Sequence, residues 1–416
     1  MTVNIIAGAD IGNGYTKAVL KDVTSERTDE VDMPSLVRIV THDKQNPTPD
    51  SEVATVFNSD VSFYNRLDAR FETPLVSDQH RRLFGTSALD SKGAIEEFDT
   101  VSGASKAQQQ LSKVLVLGTI AAKALKDYVS AEGILPTDEL DVSATVALAL
   151  PVHEYLRHRG TYADELLAHE QAHTVIIENF ETKVRVNITF AEVIVNAEGA
   201  SAQSAIAAHG ESLIQYMLDE ARTHNDAHAT ALVGIEASDI AEAKGAIGID
   251  IGDGTTGFIA TQGTDAVFND NASRSFDRGY GSVLQDALDA MTSAGEGTAF
   301  SSRKHLAEYL LATPNRLDKQ RHAHVKGYVD TEVKLFVSEV AKHLAESLRT
   351  ASSAQVLYVY GGGSGAIREH LYPVLQETIS RTKPGSFVPV MYLDAGFSRN
   401  LNREGLFIAA KDAAAK

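Results

Sequence analysis

One segment of this chain occurs twice. Residues 8–20 and 248–260 align without a gap, and six of the thirteen positions are identical: Gly8/Gly248, Asp10/Asp250, Ile11/Ile251, Gly12/Gly252, Gly14/Gly254 and Thr16/Thr256. Each copy is an apolar run ending in Asp, then a glycine-rich turn, then a second apolar run, which is the pattern of a strand, a tight hairpin and a return strand. Glycines in such a turn permit positive φ and let backbone N–H groups approach an anion. The Asp is an acceptor only, so it cannot serve phosphate oxygens directly. It can hold a hydrated Mg²⁺, which keeps several waters and bridges to phosphates. One hairpin alone reads equally well as an ordinary glycine turn. Two in matching contexts, with Lys17 in the first and a further glycine-rich strand-to-helix turn at Gly361, predict two hairpins that face each other across a cleft and clamp one triphosphate.

Composition narrows the setting. The 416 residues include 38 basic and 56 acidic side chains, for a formal charge of −18, and neither Cys nor Trp. Without Cys there is no disulfide framework, thiolate metal site or cysteine nucleophile, which suits a reducing cytosol. The first ten residues lack a basic n-region and reach a carboxylate at Asp10, so no signal peptide is expected. The longest apolar stretches, 114–122 and 144–152, fall short of the roughly 20 residues that span a bilayer. A strongly acidic chain is also a poor direct ligand for the DNA backbone. The expectation is a soluble, cytoplasmic protein of two or three domains, with no membrane and no direct nucleic-acid contact.

Periodicity predicts strands over 3–11 and 15–20, a surface loop or irregular subdomain over 41–60, a long helix over 104–129, and a doubly buried strand over 142–150 closed by Pro151. A helix over 161–172, strands over 175–180 and 183–190, and a helix from about Gly199 follow. Residues 222–243, rich in His, Asp and Ala, read as an insertion. After the second hairpin come helices over 282–291, 303–312 and 331–349. A buried strand over 355–360 stops at Gly361, Gly362, Gly363, Ser364 and Gly365, where a helix begins. The Ala-rich C terminus reads as a frayed helix.

Three competing motifs carry less. Gly252, Gly254 and Gly257 match G-x-G-x-x-G, but a dinucleotide fingerprint needs a helix next, whereas 255–261 is β-branched and meets another turn at Gln262 and Gly263. His169, Glu170 and His173 match H-E-x-x-H at the end of a helix, where a zinc site would also lack a third ligand unless His224 or His228 supplied it; solvated side chains are the preferred reading. Arg316, Lys319, Arg321 and Lys326, with His322 and His324, read as a solvated helix face, and Asp318 within the cluster favours that. Contact with an acidic partner, nucleic acid or an acidic subunit of the same kind is the alternative.

These residues resemble the superfamily of actin, the heat-shock chaperone ATPases and the sugar kinases, and within it most closely the bacterial plasmid-segregation actins of the ParM/StbA type. Residues 10–17 are similar to the first phosphate motif, 250–257 to the second, and 356–365 to the adenosine motif. Residues 149–154 are similar to a strand-end Leu-Pro-Val segment, and 402–405 to the C-terminal stretch. The first connecting motif, usually Pro-Glu-Gly, reads Ala197, Glu198, Gly199 here. With the Pro missing, Glu192 stands as the fallback for the catalytic carboxylate.

The resemblance implies an α/β, actin-like ATPase fold of two ribonuclease-H-like domains around a nucleotide cleft. Domain I would be 1–197 plus about 393–416, with a smaller subdomain at about 30–100; domain II would be 198–392, with 222–243 inserted. It implies that Glu198 orients the attacking water and that Asp10 and Asp250 hold Mg²⁺ through waters. Nucleotide contacts would come from Gly12, Asn13, Gly14, Tyr15, Thr16 and Lys17, then from Gly252, Asp253, Gly254, Thr255 and Thr256. Arg278 and Gly281 would line the cleft opposite, and Gly361, Gly362, Gly363 and Ser364 would lie against the adenosine.

The implied function is an ATPase, with GTP possible in place of ATP, that polymerises with nucleotide bound and disassembles after hydrolysis. It would segregate plasmid DNA through a DNA-binding adaptor of the ParR type. A small-molecule kinase, a filament with another cargo and a chaperone-like switch are the alternatives. No distinctive second-substrate motif supports the first, and the chain leaves little room for a peptide-binding domain. Copies carrying −18 each repel, over a range that salt shortens to roughly 8–10 Å, so assembly is expected to strengthen as salt or Mg²⁺ rises.

Overall fold

The computed structural model describes residues 2–41, 47–99, 104–167, 172–223, 227–263, 266–296, 300, 302–393 and 395–416. The chain divides into two compact units, Met1–Ala205 with Asn400–Lys416, and Ile206–Arg399.

The first unit opens with β1 (Thr2–Ile11), β2 (Tyr15–Asp22), β3 (Thr28–Pro34) and β4 (Leu36–Val40), then α1 (Val53–Phe57), β5 (Asp68–Glu72), β6 (Arg81–Phe84), α2 (Gly85–Asp90) and β7 (Ala94–Glu97). It continues through α3 (Gln110–Glu132), β8 (Leu140–Leu150), α4 (Val152–Leu167), β9 (His173–Ile177), β10 (Val184–Ala197) and α5 (Ala200–His209). The strands form one sheet in the order β3-β2-β1-β8-β10-β9-β5-β6-β4-β7. Alternation along β1 sends Ile5, Ala7, Ala9 and Ile11 into a core with Val142, Ala144, Val146 and Leu148 of β8 and the buried side of α3.

In the second unit α6 (Glu211–Arg222), α7 (Ala227–Ala231) and α8 (Ala237–Ala241) precede β11 (Gly245–Ile251), β12 (Thr256–Gln262), β13 (Val267–Phe268) and β14 (Arg274–Phe276). Then come α9 (Tyr280–Ser293), α10 (Arg303–Leu311), α11 (Lys319–Thr350), β15 (Val356–Tyr360), α12 (Arg368–Thr382), β16 (Val390–Tyr392) and α13 (Ala395–Ser398). The sheet order is β13-β12-β11-β15-β16, with β14 on β12. Ile247, Ile249 and Ile251 pack with Val333, Phe336 and Val340 of α11 and with the apolar side of α12.

The sequence repeat is a repeat of topology. In the first unit β3, β2 and β1 pair antiparallel, and β8 and β10 then add parallel. In the second, β13, β12 and β11 pair antiparallel, and β15 and β16 add parallel. Finally α14 (Leu401–Ala414) returns to the first unit, where Leu406 and Ala410 cover Ala147 and Ala149. The approach is close: a Cβ on Gly8 would lie 2.2 Å from the Phe407 backbone N, and one on Gly405 1.8 Å from the Ser201 carbonyl O.

Several expected boundaries move. The helix expected over 104–129 begins only at Gln110, because Gln109 is extended and Lys106–Gln108 form a separate 3-10 turn. The helix expected from 161 begins at Val152: Pro151 cannot extend the ladder, and its carbonyl accepts from the amides of Glu154 and Tyr155 at 2.9 and 2.8 Å. β10 runs on to Ala197 past a bulge between Phe190 and Glu192 that breaks the alternation. α11 starts twelve residues before 331, its early turns too exposed to show an apolar stripe. Within 41–60 the chain forms a 3-10 turn, Asp50–Glu52, and α1, while 42–46 lie outside the described residues.

Candidate functional site

In the first unit, β1 and β2 pair so that Asp10 lies opposite Lys17 and Ile11 opposite Thr16. Residues directly opposite share a face, so Asp10 and Lys17 stand together on the side away from the core. The Gly12 amide donates to the Tyr15 carbonyl at 3.0 Å and closes the turn. Among the described residues, the tip amides of Asn13 and Gly14 donate to no protein acceptor, which leaves two N–H groups for an anion. The Thr16 hydroxyl is buried against Ser35 Oγ at 2.9 Å, and Tyr15 lies at the surface.

Glu198 follows directly on β10. Its amide donates to the Leu150 carbonyl at 2.7 Å, while Gly199, at φ 78°, donates its amide to Asn402 Oδ1 at 3.0 Å. A left-handed glycine and an Asn from the C-terminal stretch thus turn the corner into α5 where the related motif has Pro. The Glu198 carboxylate accepts from Lys106 Nζ at 2.5 Å. Lys106 is buried, in a turn opened by Ser105, whose Oγ accepts from the Ala107 amide at 3.1 Å and donates to Glu154 Oε2 at 2.6 Å. The Leu-Pro-Val segment therefore delivers Glu154, which orders the loop that carries Lys106.

Two carboxylates and two cations meet here. Burial, and then the like charge of Glu198, push Asp10 up to about 6, against the pull of Lys106 and Lys17. Burial works to lower the Lys106 ammonium, but Glu198 and Asp10 outweigh it and hold it above its ordinary value. Glu192 is exposed, opposite Thr145 at the bulge of β10, and takes no part in this cluster. Lys106 belongs to no motif; its one mark in the sequence is that it is the only charged residue over 100–112.

The second unit repeats the hairpin. Asp250 lies opposite Gly257 and Ile251 opposite Thr256, and the Gly252 amide donates to the Thr255 carbonyl at 2.9 Å. The tip amides of Asp253 and Gly254 again donate to no acceptor among the described residues. Two segments, 278–281 and 361–363, converge on this turn. The amides of Tyr280 and Gly281 donate to the carbonyls of Gly252 and Asp253, that of Gly363 donates to Ile251, each at 2.9 Å, and Thr256 Oγ1 donates to the Arg278 carbonyl at 2.7 Å.

Glycine is required for that convergence. Gly361 sits at φ 92° with its Cβ position 2.4 Å from Asp250 Oδ1, and a Cβ on Gly281 would lie 2.2 Å from Asp253 Oδ1. Gly362 is the roomy member, 3.8 Å from Arg399 Cγ. Ser364 is buried, donating to the Gly361 carbonyl at 2.9 Å and accepting at its own carbonyl from Tyr392 at 2.5 Å. The Arg278 guanidinium is engaged inside the unit by Asp286 at 2.6 Å and Glu339 at 3.3 Å, so only its carbonyl touches the hairpin. Arg303, which no motif marks, binds Asp253 Oδ2 at 2.7 Å.

Other candidates resolve differently. His173 is buried, with Nε2 on the Leu166 carbonyl at 2.8 Å and Nδ1 on Thr73 Oγ1 at 2.7 Å; burial lowers its pKa, and neither nitrogen is left for zinc. His169, Glu170 and His224 lie outside the described residues. His228 is spent on the Tyr372 hydroxyl at 2.7 Å and the Val390 amide at 3.0 Å. Among the described residues no three His, Asp or Glu gather in a metal-binding arrangement. A single carboxylate at each strand end suits an ion that keeps its waters, and the unpaired tip amides suit phosphate, so both hairpins fit the groups the sequence implied. No described helix is long and apolar enough to cross a membrane.

Two α/β units of one repeated topology, each with a strand-end Asp and a glycine hairpin, define the actin-like fold. Residues 8–200 match the family described as the N-terminal domain of actin-like proteins. The fold is similar to that of Ta0583, an archaeal actin homolog (TM-score 0.58, 15% identity, 99% of this chain and 100% of that one). It is also similar to a subunit of a 15-stranded ParM filament from Clostridium botulinum (0.58, 15%, 99% of each chain) and to Bacillus thuringiensis ParM with ATP (0.53, 14%, 99% of each chain). Among curated proteins no sequence matches significantly. Residues 8–200 thus match the actin-like N-terminal family, and the whole chain shares the actin-like fold.

Proposed function

We propose that this protein is a nucleotide-driven filament former of the ParM type: an ATPase that assembles with ATP bound, disassembles after hydrolysis, and moves plasmid DNA through a separate DNA-binding adaptor. The observation that carries the reading is the cluster of Asp10, Lys17, Lys106 and Glu198 beside a hairpin with unpaired tip amides. Solved relatives bind ATP and build filaments, which supports the same for this chain.

Phosphoryl transfer to water depends on positioning and charge stabilisation more than on covalent chemistry. Lys17 would meet phosphate oxygens as a point charge, while the tip amides of each hairpin donate to them. Asp10 and Asp250 would hold hydrated Mg²⁺, which supplies neutralising charge at the phosphates. Glu198 would orient the attacking water. The hydrogen bond from Lys106 Nζ would hold that carboxylate in place for the water. Of the glycines at 361–363, Gly362 has the open side and would lie against the purine and ribose. Sedimentation of the purified protein tests the reading: polymer should pellet with ATP or a slowly hydrolysed analogue, and its absence with both under every salt condition would overturn it.

A further inference from the structure

Between α10 and α11 the chain makes a knob unlike the rest of its surface. Leu311 and Leu317 are 85% and 94% exposed. Around them Arg316, Lys319 and Arg321 are exposed and enter no ion pair among the described residues, whereas the neighbouring His324 and Lys326 pair with Glu296 and Asp330, each at 2.8 Å. Asp318 stands at the N-cap of the 32-residue α11 and is held by Asn315, while the first turn itself holds no acidic residue. Cations there face the positive end of the helix dipole, an unfavourable placement that a docked anionic surface reverses. An apolar, cationic knob on a chain of charge −18 asks for an apolar, acidic partner.

The same unit offers one. Before and along α8, Val233 is 77% exposed and is followed by the exposed carboxylates Glu236, Asp239 and Glu242. α8 packs on α6, and α10 packs on α9, so the two patches stand on separately packed elements. A contact between two different patches of identical copies is heterologous, and it extends as an open filament wherever its rotation does not close a ring. We propose that the knob of one copy docks on the Val233–α8 patch of a second copy, with Leu317 against Val233 and the cations against the α8 carboxylates. This contact rests on the filament reading and specifies one of its surfaces.

The absence of Cys makes the test direct. Leu317→Cys and Val233→Cys proteins, otherwise full length, are mixed with Mg²⁺ and ATP and treated with a bifunctional thiol reagent. The expected result is a mixed cross-link at least tenfold faster than either like pair. No such preference overturns the contact. If the parent pellets with ATP yet the preference is missing, the filament reading stands and this surface is wrong; a preference without nucleotide-dependent pelleting retains the surface and removes the filament reading.

A second arm uses Arg316→Glu with Lys319→Glu. This reversal should raise the melting temperature, because acids suit a helix N-terminus, while raising the critical concentration at least tenfold. Adding Glu242→Lys should recover part of the assembly. Parent-like assembly after reversal, or duplex DNA binding that the reversal abolishes, would overturn the proposal.

Discussion

At the residue scale, the site is a balance of like and unlike charge. Asp10, raised to about 6 from an ordinary 3.8, favours its neutral form in the folded protein. Its contribution to stability is therefore full below about pH 4 and lost as pH rises through 6. Asp10→Asn keeps the neutral form at every pH, so without nucleotide it should melt higher than the parent at neutral pH, by roughly 2–4 °C per kcal/mol, and equally below pH 4. Calorimetry across pH checks this, and a lower melting point at neutral pH would contradict it. Lys106→Met removes the donor that holds Glu198 and a cation that favours ionised Asp10, so Asp10 should titrate higher still. Hydrolysis should fall roughly 10²-fold at neutral pH and recover partly as pH rises; a pH-independent loss would mean that Lys106 serves only the fold.

At the element scale, glycines decide how closely segments approach. The Cβ of Gly405→Ala would lie 1.8 Å from the Ser201 carbonyl, so α14 must separate from the start of α5, at a cost of about 3 kcal/mol. Gly133, also left-handed at φ 76° but with nothing within 4 Å, should cost only about 1–2 kcal/mol on the same change. Urea midpoints of the two variants measure the difference, and equal losses would refute the packing explanation. The hairpins, β8 and the strand before Gly361 were legible in the sequence because alternation and glycine turns are local signals. The break at Gln109 was not, since residues 104–129 carry helical spacing throughout and it is tertiary bonds, from Ser105 to Glu154 and from Lys106 to Glu198, that reward interrupting it. For the same reason Asp10, Lys17 and Glu198 could be found from motifs, while Lys106 and Arg303 could not.

At the scale of the whole molecule, net charge and local patches act over different distances. Repulsion between copies of charge −18 is long-ranged and screened by salt, whereas pairs at a docked surface are close and partly shielded from it. Light scattering should therefore show assembly strengthening from low to physiological salt, and strongest assembly at the lowest salt would mean that complementary pairs dominate at every distance. The central claim is that ATP binding builds the polymer and Glu198 ends it. Electron microscopy of the purified protein after addition of Mg²⁺ and ATP tests this most directly. The parent should form filaments that disappear as ATP is consumed, while Glu198→Ala should form the same filaments and keep them; filaments that form without nucleotide, or that vanish equally fast in both proteins, would contradict the account.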